Sequence, residues 1–366
     1  MIDYIEIEGF KSIKKMAMDL KPINILIGSN GSGKSNFIAF FKLISAIFNI
    51  RLQQFTAEEK ASNLLYFGRK HTRMMGGQVR FKRVEHSDGY KFGLAQTNEG
   101  GLFVQHESSG FLEFDNSESS YSDRPEESRY ASNPNTMSKK VLKSYFSILR
   151  TYHFHDTSAT SLLRSGCALN DNLYLKPDGR NLPAYLYLIK TNHPKIYSRI
   201  EKTIQSVAPY ISQFILEPKR LAGQEGEIEL RWVDKGDAES SFSAYQLSDG
   251  TLRFIALATL LMQPQPPDVV IIDEPELGLH PFAIGKLAGM VQAASAKCQV
   301  IIATQSPGLI NHFSPEDVIV VDKNEEENQT VFKRLNPDKL DVWLSEYTLG
   351  DLWERNIVNA AQPFAK

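Results

Sequence analysis

Between Ile23 and Ile50 the chain reads INILIGSNGSGKSNFIAFFKLISAIFNI, and the reading of this stretch decides the fold. Ile23-Asn24-Ile25-Leu26-Ile27 is a short β-branched run of the kind that forms a buried strand. From Ser35 to about Ile50 the residues are apolar on more than half of a helical circumference, which predicts a well-buried helix. Between the two lies Gly28 to Ser35, GSNGSGKS, a fit to G-x-x-x-x-G-K-[ST]. Glycines in such a loop let the backbone approach phosphate oxygens, and successive N–H groups at a helix start hold negative charge. The candidate nucleotide-binding residues are Asn30, Gly31, Ser32, Gly33, Lys34, Ser35 and Asn36. Lys34 is expected on the β- and γ-phosphates of ATP and the Ser35 hydroxyl on Mg²⁺.

Val269 to Pro281, VVIIDEPELGLHP, supplies a matching acidic element. An aspartate at the end of a buried parallel strand, Asp273, is placed to hold Mg²⁺ directly or through water. Glu274 then becomes the carboxylate that orients and deprotonates an attacking water. Asp-Glu-Pro-Glu alone would suit an ordinary helix cap, but the apolar run before Asp273 argues for the metal role. Tyr245 to Leu261, YQLSDGTLRFIALATLL, adds a polar turn opening a long apolar helix. Backbone N–H groups there, with the Ser248 hydroxyl beside them, form a second anion site or, read alone, a capped helix.

The totals exclude several classes. A chain of 366 residues, 42% hydrophobic and 23% charged, is expected to be soluble and globular, as one large domain with an insertion or two lobes sharing a core. A formal net charge of −2 gives no global attraction to nucleic acid, so DNA contact requires a local patch. Cys167 and Cys298 have no metal-binding or redox spacing, consistent with ordinary thiols in a cytoplasmic protein. The alternating acidic start is unlike a signal peptide, and no apolar run reaches the roughly 18–20 residues that cross a bilayer. No membrane partner is expected.

Gly68 to His86 concentrates Arg69, Lys70, Arg73, Arg80, Lys82 and Arg83, either a solvated hairpin face or a DNA-facing edge. His106 to Asn135 is rich in Ser, Asn and acid and reads as a long mobile loop whose aromatics could still dock it. Asn181 to Pro209 has helical spacing broken at Asn192-His193-Pro194, without the heptads of a coiled-coil arm. Gln299 to Ala303 reads as another buried strand, and Val318–Val321 with Thr330–Arg334 as a hairpin.

Taken in order, the motifs resemble an ABC-type ATPase head of the SMC/RecF/OLD-like group, in its small bacterial AAA-family branch lacking coiled coils. GFKSI (Gly9–Ile13) resembles the group's opening strand and turn, and LIGSNGSGKSNF its Walker A. YQLSDGTLRF resembles the signature motif, DEPELGLHP Walker B with the D-loop, and ATQSP (Ala303–Pro307) the switch loop. YHFHDTS (Tyr152–Ser158), KPDGRNLPAYL and the terminal YTLGDLWERN also look like this branch. The resemblance covers nearly the whole chain and is weakest from about 85 to 140.

It implies an α/β P-loop NTPase fold of ABC-ATPase type: a mixed sheet with flanking helices, an N-terminal antiparallel β lobe and a helical insertion. The whole of 1–366 forms one head, with an N-terminal lobe 1–105, an insertion 106–240 and a signature and Walker B lobe 241–366. In such heads ATP is sandwiched between Walker A of one subunit and the signature of another, which implies a head-to-tail homodimer or a higher assembly. Ser248 and Gly250 carry over as the contact made in trans. Lys34, Glu274 and Gln305 carry over as catalytic residues, and Ser35 and Asp273 as Mg²⁺ ligands. The implied role is a slow ATPase of a bacterial antiphage-defence system with a separately encoded effector nuclease. Alternatives are a RecF-like DNA-maintenance ATPase and an ATP-gated scaffold holding a toxin inactive.

Some positions depart from the pattern. Asp249 stands where transporters usually have glycine, and Gln305 where a histidine is common; glutamine hydrogen-bonds but cannot become cationic. Gln78, Gln96 and Gln105 are all candidates for the Q-loop glutamine. His153-Phe154-His155 puts two imidazoles on one strand face, a spacing open to Zn²⁺ or to hydrogen bonding near the nucleotide. No TOPRIM-like acidic cluster follows Asp322.

Overall fold

A computed structural model describes residues 1–82, 87–111, 119–219 and 226–359. The chain builds two six-stranded sheets with a helix between them. In the first, Val318–Asn324, Ile23–Ile27, Gln299–Thr304, Val269–Asp273 and Arg150–Tyr152 lie side by side and parallel. Gln329–Arg334 joins the Val318 edge antiparallel, completing the expected hairpin. Strands covered on both faces need apolar residues at every position, which is why these runs do not alternate in sequence. Their side chains nevertheless divide with period two. Ile25, Val270, Ile272, Val300 and Ile302 join one core cluster, whereas Leu26, Ile271, Ile301 and Ile319 join the other.

The second sheet is antiparallel, in the order Ile13–Asp19, Ile2–Phe10, Met74–Lys82, Ser87–Gln96, Leu102–Phe111, Ser119–Ser120. The helix Lys34–Phe48 runs between the two sheets, so apolar residues on most of its circumference have somewhere to go. Phe40 meets Phe10 edge-on at 5.6 Å and stacks on Phe92, and Phe48 meets Tyr90 at 4.8 Å. Truncating such a buried Phe to Ala typically costs about 3–5 kcal/mol. Helices Leu182–Asn192, Pro194–Val207, Asp249–Met262 and Pro281–Ser295 cover the opposite face of the parallel sheet.

Two expectations change. Met74–Lys82 is an interior strand, paired with Ile2–Phe10 on one side and Ser87–Gln96 on the other, so the basic stretch offers no sheet edge. Arg80 instead lays its guanidinium over the Tyr4 ring at 4.0 Å, and Arg69 donates to Asn98 Oδ1 at 2.7 Å. Arg83 lies outside the described residues. The stretch expected as a mobile loop from 106 to 135 begins as strand, continuing to Phe111, and 112–118 lie outside the described residues. Its later part is anchored by one buried carboxylate. Glu107 accepts from Tyr90 and Tyr121 hydroxyls, from Ser128 Oγ at 2.5 Å and from the Arg129 N–H at 3.1 Å. A buried acid is costly unless its lone pairs are filled, and the tyrosines and serine of this polar segment fill them.

Candidate nucleotide site at the carboxyl edge of the parallel sheet

Parallel strands end on the same edge, and ligands of open α/β sheets bind outside those carboxyl ends. Ile27 pairs with Thr304, Asp273 with Ala303 and Ile272 with Tyr152. The residues that follow these strand ends, Gly28–Ser35, Glu274, Gln305 and His153–His155, therefore converge on one place.

Gly33 has φ +114, and a Cβ on it would sit 2.4 Å from Thr330 Oγ1, so only glycine fits there. Among the described residues the N–H groups of Gly31, Gly33, Lys34 and Ser35 find no protein acceptor, and the Ser32 hydroxyl is buried without a partner. Lys34 is buried and donates to the carbonyls of Gly28, 2.6 Å, and Ser29, 3.0 Å. Burial pulls its ammonium below the usual lysine range, while Glu274, Asp273 and Glu276 pull it up. A cation held only by neutral carbonyls, beside unfilled donors, is a cradle with the charge and shape for phosphate. Beside it a cavity of about 610 Å³, lined by Ser12, Gly31, Asn36, Tyr66, Phe67 and Thr330 among others, has room for a base and ribose.

Burial raises the Asp273 carboxyl above the ordinary aspartate range, against the pull of His155, Lys42 and Lys34. Such a group gains from a cation, so Asp273 with the Ser35 hydroxyl fits a Mg²⁺ ion. His155 Nε2 lies 2.8 Å from the Asp273 carbonyl oxygen and donates to it, and His153 Nδ1 lies 3.9 Å from Asp273 Oδ2. The two imidazoles therefore flank the Walker B aspartate. The strand paired with Walker B leads into His153, whereas Gln78, Gln96 and Gln105 all lie on the antiparallel sheet.

Glu274 has φ +42, a left-handed conformation uncommon for its type and concentrated at functional sites. Its N–H donates to the Ala303 carbonyl at 2.8 Å, and its Oε1 accepts from Gln305 Nε2. Glu276 is a residue the sequence reading passed over. Its Oε1 accepts from Thr304 Oγ1 at 2.5 Å and the Gln305 N–H at 3.3 Å, its Oε2 is buried and unpartnered, and burial raises its carboxyl.

The signature turn lies apart from this centre. Ser248 caps Asp249–Met262, accepting from the Thr251 N–H, and among the described residues no hydrogen bond joins 248–251 to 28–36. Gly250 packs so closely that a Cβ would sit 2.5 Å from the Gly278 carbonyl oxygen. Arg253 is the second missed residue. Buried on an apolar helix, it donates from Nε to Phe154 O at 2.8 Å, from Nη2 to His155 O at 3.1 Å and from Nη1 to Leu277 O. An arginine in the apolar run LRFIALATLL was the available signal, since charged residues are rarely buried without partners.

Fold and candidate site together are those of a P-loop ATPase. Residues 23–311 match the family described as "AAA domain, putative AbiEii toxin, Type IV TA system", and the chain belongs to that family. In three dimensions it is similar to an SMC head crystallised with the C-terminal winged-helix domain of ScpA: TM-score 0.60, 16% identity, covering 93% of this chain and 99% of that one. It is also similar to an SMC head with extended coiled coil bound to the C-terminal domain of ScpA, derived from Pyrococcus furiosus: TM-score 0.56, 14% identity, covering 94% and 98%. At these identities the likeness concerns the fold. No curated protein matches the sequence. No helix among the described residues is long and apolar enough to cross a membrane.

Proposed function

We propose that the chain is an ATP-hydrolysing head that closes as a head-to-tail homodimer around two ATP·Mg²⁺ and passes its ATP state to DNA or to a separate effector. The observation that carries this reading is the separation of two anion sites in one chain. Among the described residues, N–H donors of the Gly28–Ser35 cradle are unfilled, and the exposed Ser248 turn makes no hydrogen bond to it. Exposed Tyr245 precedes that turn and exposed Leu277 adjoins Gly278, whose carbonyl packs against Gly250, and both offer apolar surface for a second copy to cover. Lys34 would bind the β- and γ-phosphates, Ser35 and Asp273 would hold Mg²⁺, and the ion would supply charge stabilisation of the transferring phosphoryl. Glu274 would take a proton from water, with Gln305, which donates to its Oε1, fixing the carboxylate. The absence of a cationic group at Gln305 is consistent with slow turnover.

The effector is proposed from the neighbours and the family together. The SMC heads above are bound to a separate protein, and the family description names a toxin and a toxin–antitoxin system. An antiphage or toxin-controlling role, with a separately encoded nuclease, fits both.

The arrangement in trans is tested by mixing two variants inactive alone, Lys34→Ala and Ser248→Arg. In a mixed dimer one site receives both lesions and the other neither. Random pairing makes half the dimers mixed, so roughly a quarter of wild-type turnover returns. No recovery, with subunit exchange shown independently and no nucleotide trapped by the mixed dimer, refutes the arrangement.

A further inference from the structure

The signature helix begins with a residue that works against its assigned task. Asp249 is acidic, occupies the first helical position and is 64% exposed in its side chain. A carboxylate there suits the helix dipole, but it repels a phosphate brought to the same N–H groups. The structure sets a buried arginine against it. Arg164, whose side chain is 6% exposed, donates from Nη2 to Asp249 Oδ1 at 2.6 Å. Its other two nitrogens are already committed. Nε reaches Thr157 O at 2.8 Å, and Nη1 reaches Ala244 O at 2.7 Å and Leu247 O at 3.0 Å.

Three carbonyls thus fix the guanidinium without Asp249, and two of them belong to the turn that leads into the helix. A pair so exposed on its acidic side adds little to stability. What it changes is the charge presented at the helix start. Arg253, one turn further along, also feels the Asp249 charge. We propose that Arg164 is a positioning residue that neutralises Asp249, leaving the signature turn able to accept the γ-phosphate of an ATP held by a second copy. This rests on the head-to-tail dimer proposed above.

The proposal makes the two residues interdependent in a way that a structural role does not. Without Arg164, the unpaired Asp249 should oppose the partner's phosphate by roughly tenfold in affinity. Removing the Asp249 charge as well should relieve that opposition. The test is the concentration of a non-hydrolysable ATP analogue with Mg²⁺ that half-dimerises the full chain, read by analytical ultracentrifugation. Binding of a fluorescent ATP analogue to the monomer serves as the control for Walker A.

Arg164→Gln is expected to raise the half-dimerisation concentration about tenfold. Asp249→Asn is expected to stay within about threefold of wild type or to dimerise more tightly, and the double variant to match Asp249→Asn. A double variant as weak as Arg164→Gln would mean that Arg164 acts only by holding carbonyls, and the proposal fails. A tenfold loss in Asp249→Asn alone would also overturn it. Because Asp249 is exposed, a tenfold loss in that single variant overturns the proposal even if Arg164→Gln does not fold. If wild type stays monomeric at saturating analogue, the dimer reading itself is lost and this proposal with it.

Discussion

Replacing Arg253 by Met keeps the aliphatic stem and removes only the guanidinium, which isolates the tie between the signature helix and the Walker B edge. Three carbonyls lose their donor: Phe154 and His155, beside the Asp273 strand, and Leu277 in the D-loop. Leu277 is exposed, so its carbonyl can turn to water, and the cost falls on the other two. An acceptor left unsatisfied under cover costs about 1–3 kcal/mol, giving about 2–6 kcal/mol for the pair. Against this, a buried guanidinium carries a desolvation cost, visible as the downward pull of burial on its proton affinity, and methionine relieves it. The net expectation is a loss of about 2–3 kcal/mol. Urea unfolding followed by tryptophan fluorescence should show a lower midpoint. ATP turnover should fall at least about tenfold while monomer nucleotide affinity holds, because the link lies outside the Walker A cradle. A wild-type midpoint together with wild-type turnover would refute the reasoning, since it would mean that the three bonds neither stabilise nor couple.

Two further outcomes follow from the same geometry. Glu274→Gln should keep nucleotide, accumulate the closed dimer and lose about 10²–10⁴-fold in turnover, and undiminished turnover would remove Glu274 from the base role. Charge reversal at Lys70 and Arg73, both exposed, should weaken salt-sensitive DNA binding without altering DNA-independent turnover; an unchanged salt titration would return the cluster to a solvated surface.

How much was legible in the sequence depended on the distance over which each signal acts. Gly28–Ser35 declares itself because phosphate wrapping needs glycines, a lysine and a hydroxyl at fixed spacing within one turn. Val269–Asp273 and Gln299–Thr304 declare themselves because strands covered on both faces must be apolar at every position. Lys34–Phe48 does so because a helix between two sheets must be apolar most of the way round. The placement of the basic run was not legible because charge alone does not say whether a strand is interior or at an edge. That follows from pairing with Ile2–Phe10 and Ser87–Gln96, which a local pattern does not contain.

The sequence by itself picked out the candidate phosphate cradle and the acids at the neighbouring strand end, because those residues are set by backbone conformation and spacing within a few positions. Only the tertiary structure decided what supports them. His155 meets Asp273 across 118 residues, Arg164 meets Asp249 across 85, and Arg253 meets Phe154 across 99. The first of these bonds follows from the parallel pairing that sets Arg150–Tyr152 beside Val269–Asp273, and the other two from the packing of Asp249–Met262 into the core on one face of that sheet. Hydrophobic periodicity specifies which face of an element is buried, but not which element will cover it, and a buried polar group takes its partner from whatever that packing brings within reach.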